Sequence, residues 1–218
     1  MLLPGRIAHE REDGYFVFVP CTNHRYVNER CKEGVTVEFH DCCRISTEQR
    51  RKAYALLRYI AEWYGGTPTE VAKELTKFVF VGQQVPTLAD TFSLSDTTME
   101  IASKYISFLI DFCITNGIPC GEPLWKLCED MERYVYACTM NHTCAVCGRG
   151  SELHHVDRIG MGGNRREAVH LGMRILPLCR KHHMEVHSMG EKEFLAKYHL
   201  EPIKADERVC TEYRLGKE

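Results

Sequence analysis

The sequence predicts an α+β protein: a small N-terminal sheet, a helical middle region, and a compact C-terminal segment rich in cysteine and histidine. Three observations carry this. Runs of β-branched and aromatic residues after glycines fall in the first 40 residues or so. Apolar residues then recur at helical spacing as far as Val135. After about Met140 the composition changes, and six of the eleven histidines crowd into one stretch: His154, His155, His170, His182, His183 and His187.

The elements follow in order. Residues 14–19 (GYFVFV) and 35–39 (VTVEF, after Gly34) read as strands, with another near Ile7. Ser46 starts a helix: Ser46-x-x-Gln49 fits a capping box, and Ala53, Leu57, Ile60 and Tyr64 share a face. Gly65-Gly66 ends it. Thr67-Pro68-Thr69-Glu70 opens a second helix, with a cap, a proline at N1 and a glutamate at N3. Residues 78–94 read as irregular or partly extended. A third helix runs from about Ser95 to Asn116, with Met99, Ala102, Ile106, Leu109 and Cys113 as its stripe. Pro123 opens a fourth, carrying Leu124, Leu127, Cys128, Met131 and Val135. The domain boundary is placed at 138/139, giving domains 1–138 and 139–218.

Composition bounds the function. The chain has 218 residues, 44% hydrophobic and 27% charged, which suits a soluble globular protein and excludes a disordered or collagen-like one. Its longest apolar stretch, Tyr105 to Ile114, is interrupted by Asp111 and is too short for a bilayer, so no membrane partner is expected. The N-terminus MLLPGRIAHE lacks a basic region followed by an apolar one, so a cytoplasmic location is expected. A net charge of −2 excludes a uniformly basic surface but allows a local basic patch. Twelve cysteines in such a chain favour metal ligation over disulfides.

Placement sharpens that reading. Cys144-x-x-Cys147 and Cys179-x-x-His182 are two matched pairs about 30 residues apart. Thiolate and imidazole are the preferred ligands of tetrahedral Zn²⁺, and four protein ligands make a closed, structural site. Another set of histidines is left over. His154 and His155 are adjacent in a strand-like run, Glu152 to Val156, so they point to opposite faces. His183 and His187 are four apart and project from one helix face. One of the strand histidines can join them in a three-histidine site with open positions, which is what a catalytic metal needs. Met184 follows His183, so the zinc-protease pattern H-E-x-x-H is missing, and Glu185 reads as a solvated residue.

The segment CAVCGRGSELHHVDRIGMGGNRREAVHLGMRILPLCRKHHMEVH, Cys144 to His187, resembles an HNH endonuclease domain of the ββα-metal type. The resemblance implies roles position by position. His155 matches the general base. His154, His183 and His187 match the ligands of a catalytic divalent metal, Mg²⁺ or Mn²⁺, with Ni²⁺ or Zn²⁺ also accepted by such imidazoles. Cys144, Cys147, Cys179 and His182 match the structural zinc ligands. The family's asparagine five residues before the Leu-Cys cysteine is Arg174 here, and His170 or Asn164 is the candidate for that middle role. The implied reaction is metal-dependent hydrolysis of DNA phosphodiester bonds, leaving 5′-phosphate and 3′-hydroxyl ends. RNA is not excluded as a substrate.

The whole chain also resembles HNH nucleases from replication and recombination modules of tailed bacteriophages. Phe80-Val-Gly-Gln83, Thr91 to Ser95 and Asn116 to Pro119 are similar to NinB/Orf-type recombination mediators. That resemblance implies branched or single-stranded DNA as substrate, a single-strand-binding or recombinase protein as partner, a homodimer as an option, and the host cytoplasm as location. A mediator with weak or no nuclease activity is the alternative. Arg158, Arg165, Arg166, Arg174 and Lys181 are the candidate DNA-binding residues; Arg165 and Arg166 sit in a glycine-rich loop whose backbone can approach a bulky partner. Arg50, Arg51, Lys52 and Arg58 make a second basic cluster, equally suited to DNA or to solvent. Trp63 and Trp125 read as core. Cys21, His24, Cys31, Cys42 and Cys43 read as buried thiols rather than a further metal site.

Overall fold

Contacts along the backbone divide the chain into two units, Met1–His40 and Asp41–Glu218. The computed structural model describes residues 6–20, 25, 29, 43–83, 92–157 and 170–215. The expected strand at 35–39, and Cys21, His24, Cys31 and Cys42, lie outside the described residues.

In the first unit, β1 (Arg6–Arg11) and β2 (Gly14–Phe18) form an antiparallel hairpin. Gly14 opens β2, as the glycine before an aromatic run suggested.

The second unit is α+β. Helix α1 (Thr47–Trp63) begins where the capping box requires: Gln49 N–H donates to Ser46 Oγ at 3.0 Å, and Ser46 N–H donates to Gln49 Oε1 at 3.1 Å. Helix α2 (Thr69–Gln83) runs further than its sequence suggests. Residues 78–83 are helical, not irregular, because Phe80 is buried against Tyr105 and Phe108 at ring separations of 5.3 and 5.5 Å. That packing overrides the strand preference of Phe78-Val79-Phe80-Val81. Helix α3 (Met99–Thr115) starts four residues later than expected, since Thr98 rather than a serine upstream accepts the Ile101 N–H. The helix expected at Pro123 is broken: a 3₁₀ turn covers Leu124–Lys126, and Asp130 then caps α4 (Met131–Met140) through the Arg133 N–H.

Past α4 come β3 (Glu152–His155), β4 (Arg174–Leu178), α5 (Arg180–Met189), α6 (Glu191–Tyr198), β5 (Ile203–Lys204) and α7 (Glu207–Glu212). The three strands form one antiparallel sheet in the order β3-β4-β5, with His154 opposite Leu176 and His155 opposite Ile175. One hydrophobic cluster runs from Ile45 on the helical side to Val209 in α7. It includes Leu56, Leu57, Ile60, Tyr105 and Leu109 from the helices and Ile175, Leu176 and Phe194 beside the sheet. Trp125 meets Tyr198 edge-on at 6.1 Å within this packing, whereas Trp63 is 43% exposed and is not the core residue expected. No helix among the described residues is long and apolar enough to cross a membrane.

Candidate functional site

Two clusters of metal-ligating side chains share helix α5. The first is built from a tight loop and a helix start. Gly148 N–H donates to Cys144 O at 2.9 Å, and Cys144 N–H donates to Arg149 O at 2.6 Å. Closing this loop requires a left-handed residue, and Gly148 supplies it at φ +71°. Tyr134 Oη donates to Ala145 O at 2.7 Å, and Ala145 N–H donates to Pro177 O at 3.0 Å, so the loop is tied to α4 and β4 together. Cys179 sits at the N-cap of α5, which carries His182 into the first turn.

The four donor atoms lie within 4.8 Å of one another, and three of their separations come near the edges of a ligand tetrahedron. Cys147 Sγ lies 3.7 Å from Cys179 Sγ, and His182 Nδ1 lies 3.3 Å from both Cys144 Sγ and Cys179 Sγ. Zn–S bonds of about 2.3 Å and Zn–N bonds of about 2.0–2.1 Å give tetrahedral edges of about 3.6–3.8 Å. The Cys₃His set can therefore bind zinc. Burial pushes the Cys144 thiol up to about 12. Burial also opposes ionisation of Cys147, but Arg149 Nε donates to its sulfur at 3.4 Å and, with backbone and neighbouring thiol hydrogen bonds, holds it below the ordinary thiol range. Burial lowers His182, which keeps its ring in the neutral form that ligates.

The second cluster is His154, His183 and His187, whose ligand atoms lie within 4.8 Å of one another. His154 points inward from β3 and is buried; His183 is half-buried; His187 is exposed. The rings are arranged at centroid distances of 4.9, 5.2 and 4.9 Å. Burial first, then the neighbouring histidines, push His154 down to about 4, so it is neutral at pH 7. Three imidazoles with their ligand atoms this close, one ring at the surface, leave room for further ligands. This suits a hard-to-intermediate divalent ion with open positions rather than a closed structural site.

His155, on the opposite face of β3, belongs to neither cluster. Its Nε2 lies 2.9 Å from Nδ1 of His170, which is itself buried. One proton lies between those two nitrogens. With His155 as donor, its other nitrogen is the acceptor of a neutral ring, which is the state a general base needs. Of the two candidates for the middle role, His170 is thus beside His155, while Asn164 lies outside the described residues.

The other sequence-predicted residues are divided. Arg158, Arg165 and Arg166 lie outside the described residues. Lys181 is exposed on α5. Arg174 is clamped by Asp157: Nε and an Nη atom reach Oδ1 at 3.0 and 2.8 Å, and its backbone N–H donates to Oδ2 at 2.7 Å. Glu185 is not the free surface residue expected but a partly buried, paired carboxylate. Lys197 Nζ and Tyr198 Oη both donate to its Oε1, at 2.6 and 2.9 Å, and its Oε2 is 4.0 Å from His182 Nε2. In the second basic cluster, Arg50 donates to Leu94 O and Ser95 O, and Lys52 pairs with Glu129, which favours an architectural role for both. Cys43 is exposed, not buried.

Sequence reasoning missed Arg149, Asp157 and Glu152, whose Oε2 is 3.7 Å from His183 Nδ1. Arg149 had a visible signal: it lies two residues after a zinc-type cysteine, in reach of the charge that thiolates accumulate. Asp157 and Glu152 had none, because both act across the sheet or onto α5.

A family model described as "Putative HNHc nuclease" matches residues 19–216. Neither a curated protein nor a solved structure matches the chain.

Proposed function

The chain belongs to the HNH nuclease family, and on that premise we propose that it hydrolyses phosphodiester bonds in DNA with the help of a divalent metal. The single observation that carries this is the pairing of an open His154–His183–His187 cluster with His155 on the adjoining residue of the same strand. The catalytic part is assigned to 139–218, and residues 1–138 to DNA or partner binding.

Water is a poor nucleophile at neutral pH. His155 takes its proton, and the hydrogen bond that His155 donates to His170 orients the ring for that transfer. His154, His183 and His187 hold the catalytic ion, assigned as Mg²⁺ or Mn²⁺. When bound, that ion supplies Lewis-acid stabilisation of the charge developing on the phosphate and leaving oxygen. The Cys144–Cys147–Cys179–His182 site, loaded with zinc, fixes the start of α5 and so the spacing of His183 and His187. Lys181 and the arginines at 158, 165 and 166 neutralise backbone phosphates. No base-reading element is visible among the described residues, which favours recognition of DNA shape, branching or single strands. The resemblance to phage recombination proteins supports a role in recombination or replication.

The test is a substrate panel. Zinc-loaded protein is incubated with linear duplex, single-stranded, flapped and four-way DNA and with matched RNA, with and without Mg²⁺ or Mn²⁺. Metal-dependent cutting of DNA is expected, with preference for branched or single-stranded forms. Binding without cutting on every substrate and metal would replace this reading with a recombination mediator.

A further inference from the structure

The N-terminal hairpin carries a pattern that neither metal cluster uses, and it precedes the family-matched residues 19–216. Phe16 and Phe18 are two apart in β2 and so share a face. Their cross-strand partners are His9 and Arg6, and Arg11 lies opposite Gly14. Strict alternation would not put Arg6 and His9 on one face. The register shift between Ile7 and His9 does, bringing Arg6, His9 and Arg11 together. The guanidinium of Arg11 lies 4.7 Å over the Phe16 ring, and that of Arg6 lies 5.5 Å over Phe18. The opposite face holds Glu10 and Tyr15, with the Tyr15 hydroxyl donating to Glu10 at 3.3 Å.

Charge is thus segregated across the hairpin, with cations and phenyl rings on one side and a carboxylate on the other. Phe16 is 53% and Phe18 51% exposed. Among the described residues of this unit the sheet has two strands, and large rings this exposed on it mark an interaction surface. Flat apolar rings interleaved with arginines match the two parts of an unpaired nucleotide: a base to stack and a phosphate to neutralise. Duplex DNA keeps its bases stacked on one another and offers these rings nothing.

We propose that the Phe16–Phe18 face is a binding site for single-stranded DNA, one base stacking on each ring and Arg6 and Arg11 meeting the phosphates. This rests on the reading that DNA is the substrate, and it locates the part of the chain that selects unpaired strand.

The full chain carrying His155→Ala, zinc-loaded and without added divalent ion, is titrated into fluorescein-labelled (dT)20 and into a duplex of equal length, followed by anisotropy. Phe16→Ala with Phe18→Ala weakens (dT)20 binding by roughly tenfold per ring, while duplex binding changes less than about twofold. Tyr15→Ala, on the opposite face, leaves (dT)20 binding unchanged. Phe16→Trp retains binding and adds tryptophan fluorescence that (dT)20 quenches. The proposal is overturned if the chain does not bind (dT)20, if the double variant binds it as tightly, or if that variant instead turns a dimer into a monomer by light scattering. Plasmid cutting by the chain with His155 intact is scored separately. A chain that cuts but ignores Phe16 and Phe18 refutes only the hairpin site; one that binds through them and never cuts refutes only the nuclease.

Discussion

The two metal-ligating clusters differ in what they leave open. Both draw ligands from α5, His182 for one and His183 and His187 for the other, yet the Cys₃His cluster has four donors, three of them sulfur, and the His₃ cluster has three imidazoles and an exposed edge. The first also has its surroundings arranged for negative charge: Arg149 donates to the Cys147 sulfur and approaches that of Cys179 at 4.0 Å. The second has its buried member, His154, held neutral by burial. A closed set of soft donors stabilises a fold; an incomplete set of imidazole nitrogens leaves coordination positions for water and substrate. Consecutive residues, His182 and His183, thus fall in different clusters, because a helix turns each residue about 100° from the last.

The sharpest way to break this comparison is to exchange the consequences. Cys179→Ser should cost on the order of 5 kcal/mol, or roughly 10–20 °C in Tm, because binding energy at a structural zinc is folding energy. Calorimetry with zinc content measured on the same sample checks it. A variant that keeps its Tm would remove the structural role. Next, His155→Ala should lower cutting about 10²–10⁴-fold with Tm and zinc content unchanged. His187→Ala should raise the concentration of Mn²⁺ needed for half-maximal cutting by at least ~100-fold, since even an indirect partner of a ligand is worth about 10–100-fold. Zinc content should stay at its original value, and joint loss of both metals would mean that the clusters are not independent. Smallest is Arg149→Ala, where zinc affinity in a chelator competition should fall about 10–100-fold while cutting by fully loaded protein is unaffected.

Much of this contrast was legible in the sequence. The two C-x-x-C/H pairs, the adjacent strand histidines and the i, i+4 pair rest on local periodicity, and periodicity survives folding. Ser46 and Gln49 likewise announce α1 through purely local hydrogen bonds. What was hidden is tertiary. Phe78 to Val81 is helical because Phe80 has an aromatic pocket to fill, which local preference does not encode. Glu185 read as solvated because Lys197 and Tyr198, its partners, belong to α6. Arg174 read as a phosphate ligand because Asp157, which clamps it, lies 17 residues away in the sequence.

The measurement that tests the central claim most directly is nicking of supercoiled plasmid by zinc-loaded protein, with and without added Mn²⁺, for the chain with His155 and for His155→Ala. The account predicts cutting only with added ion, a loss of about 10²–10⁴-fold in the variant, and equal zinc content in both. Cutting by His155→Ala at the original rate, or cutting that needs no ion beyond the zinc, would contradict the division of labour between the open and the closed cluster.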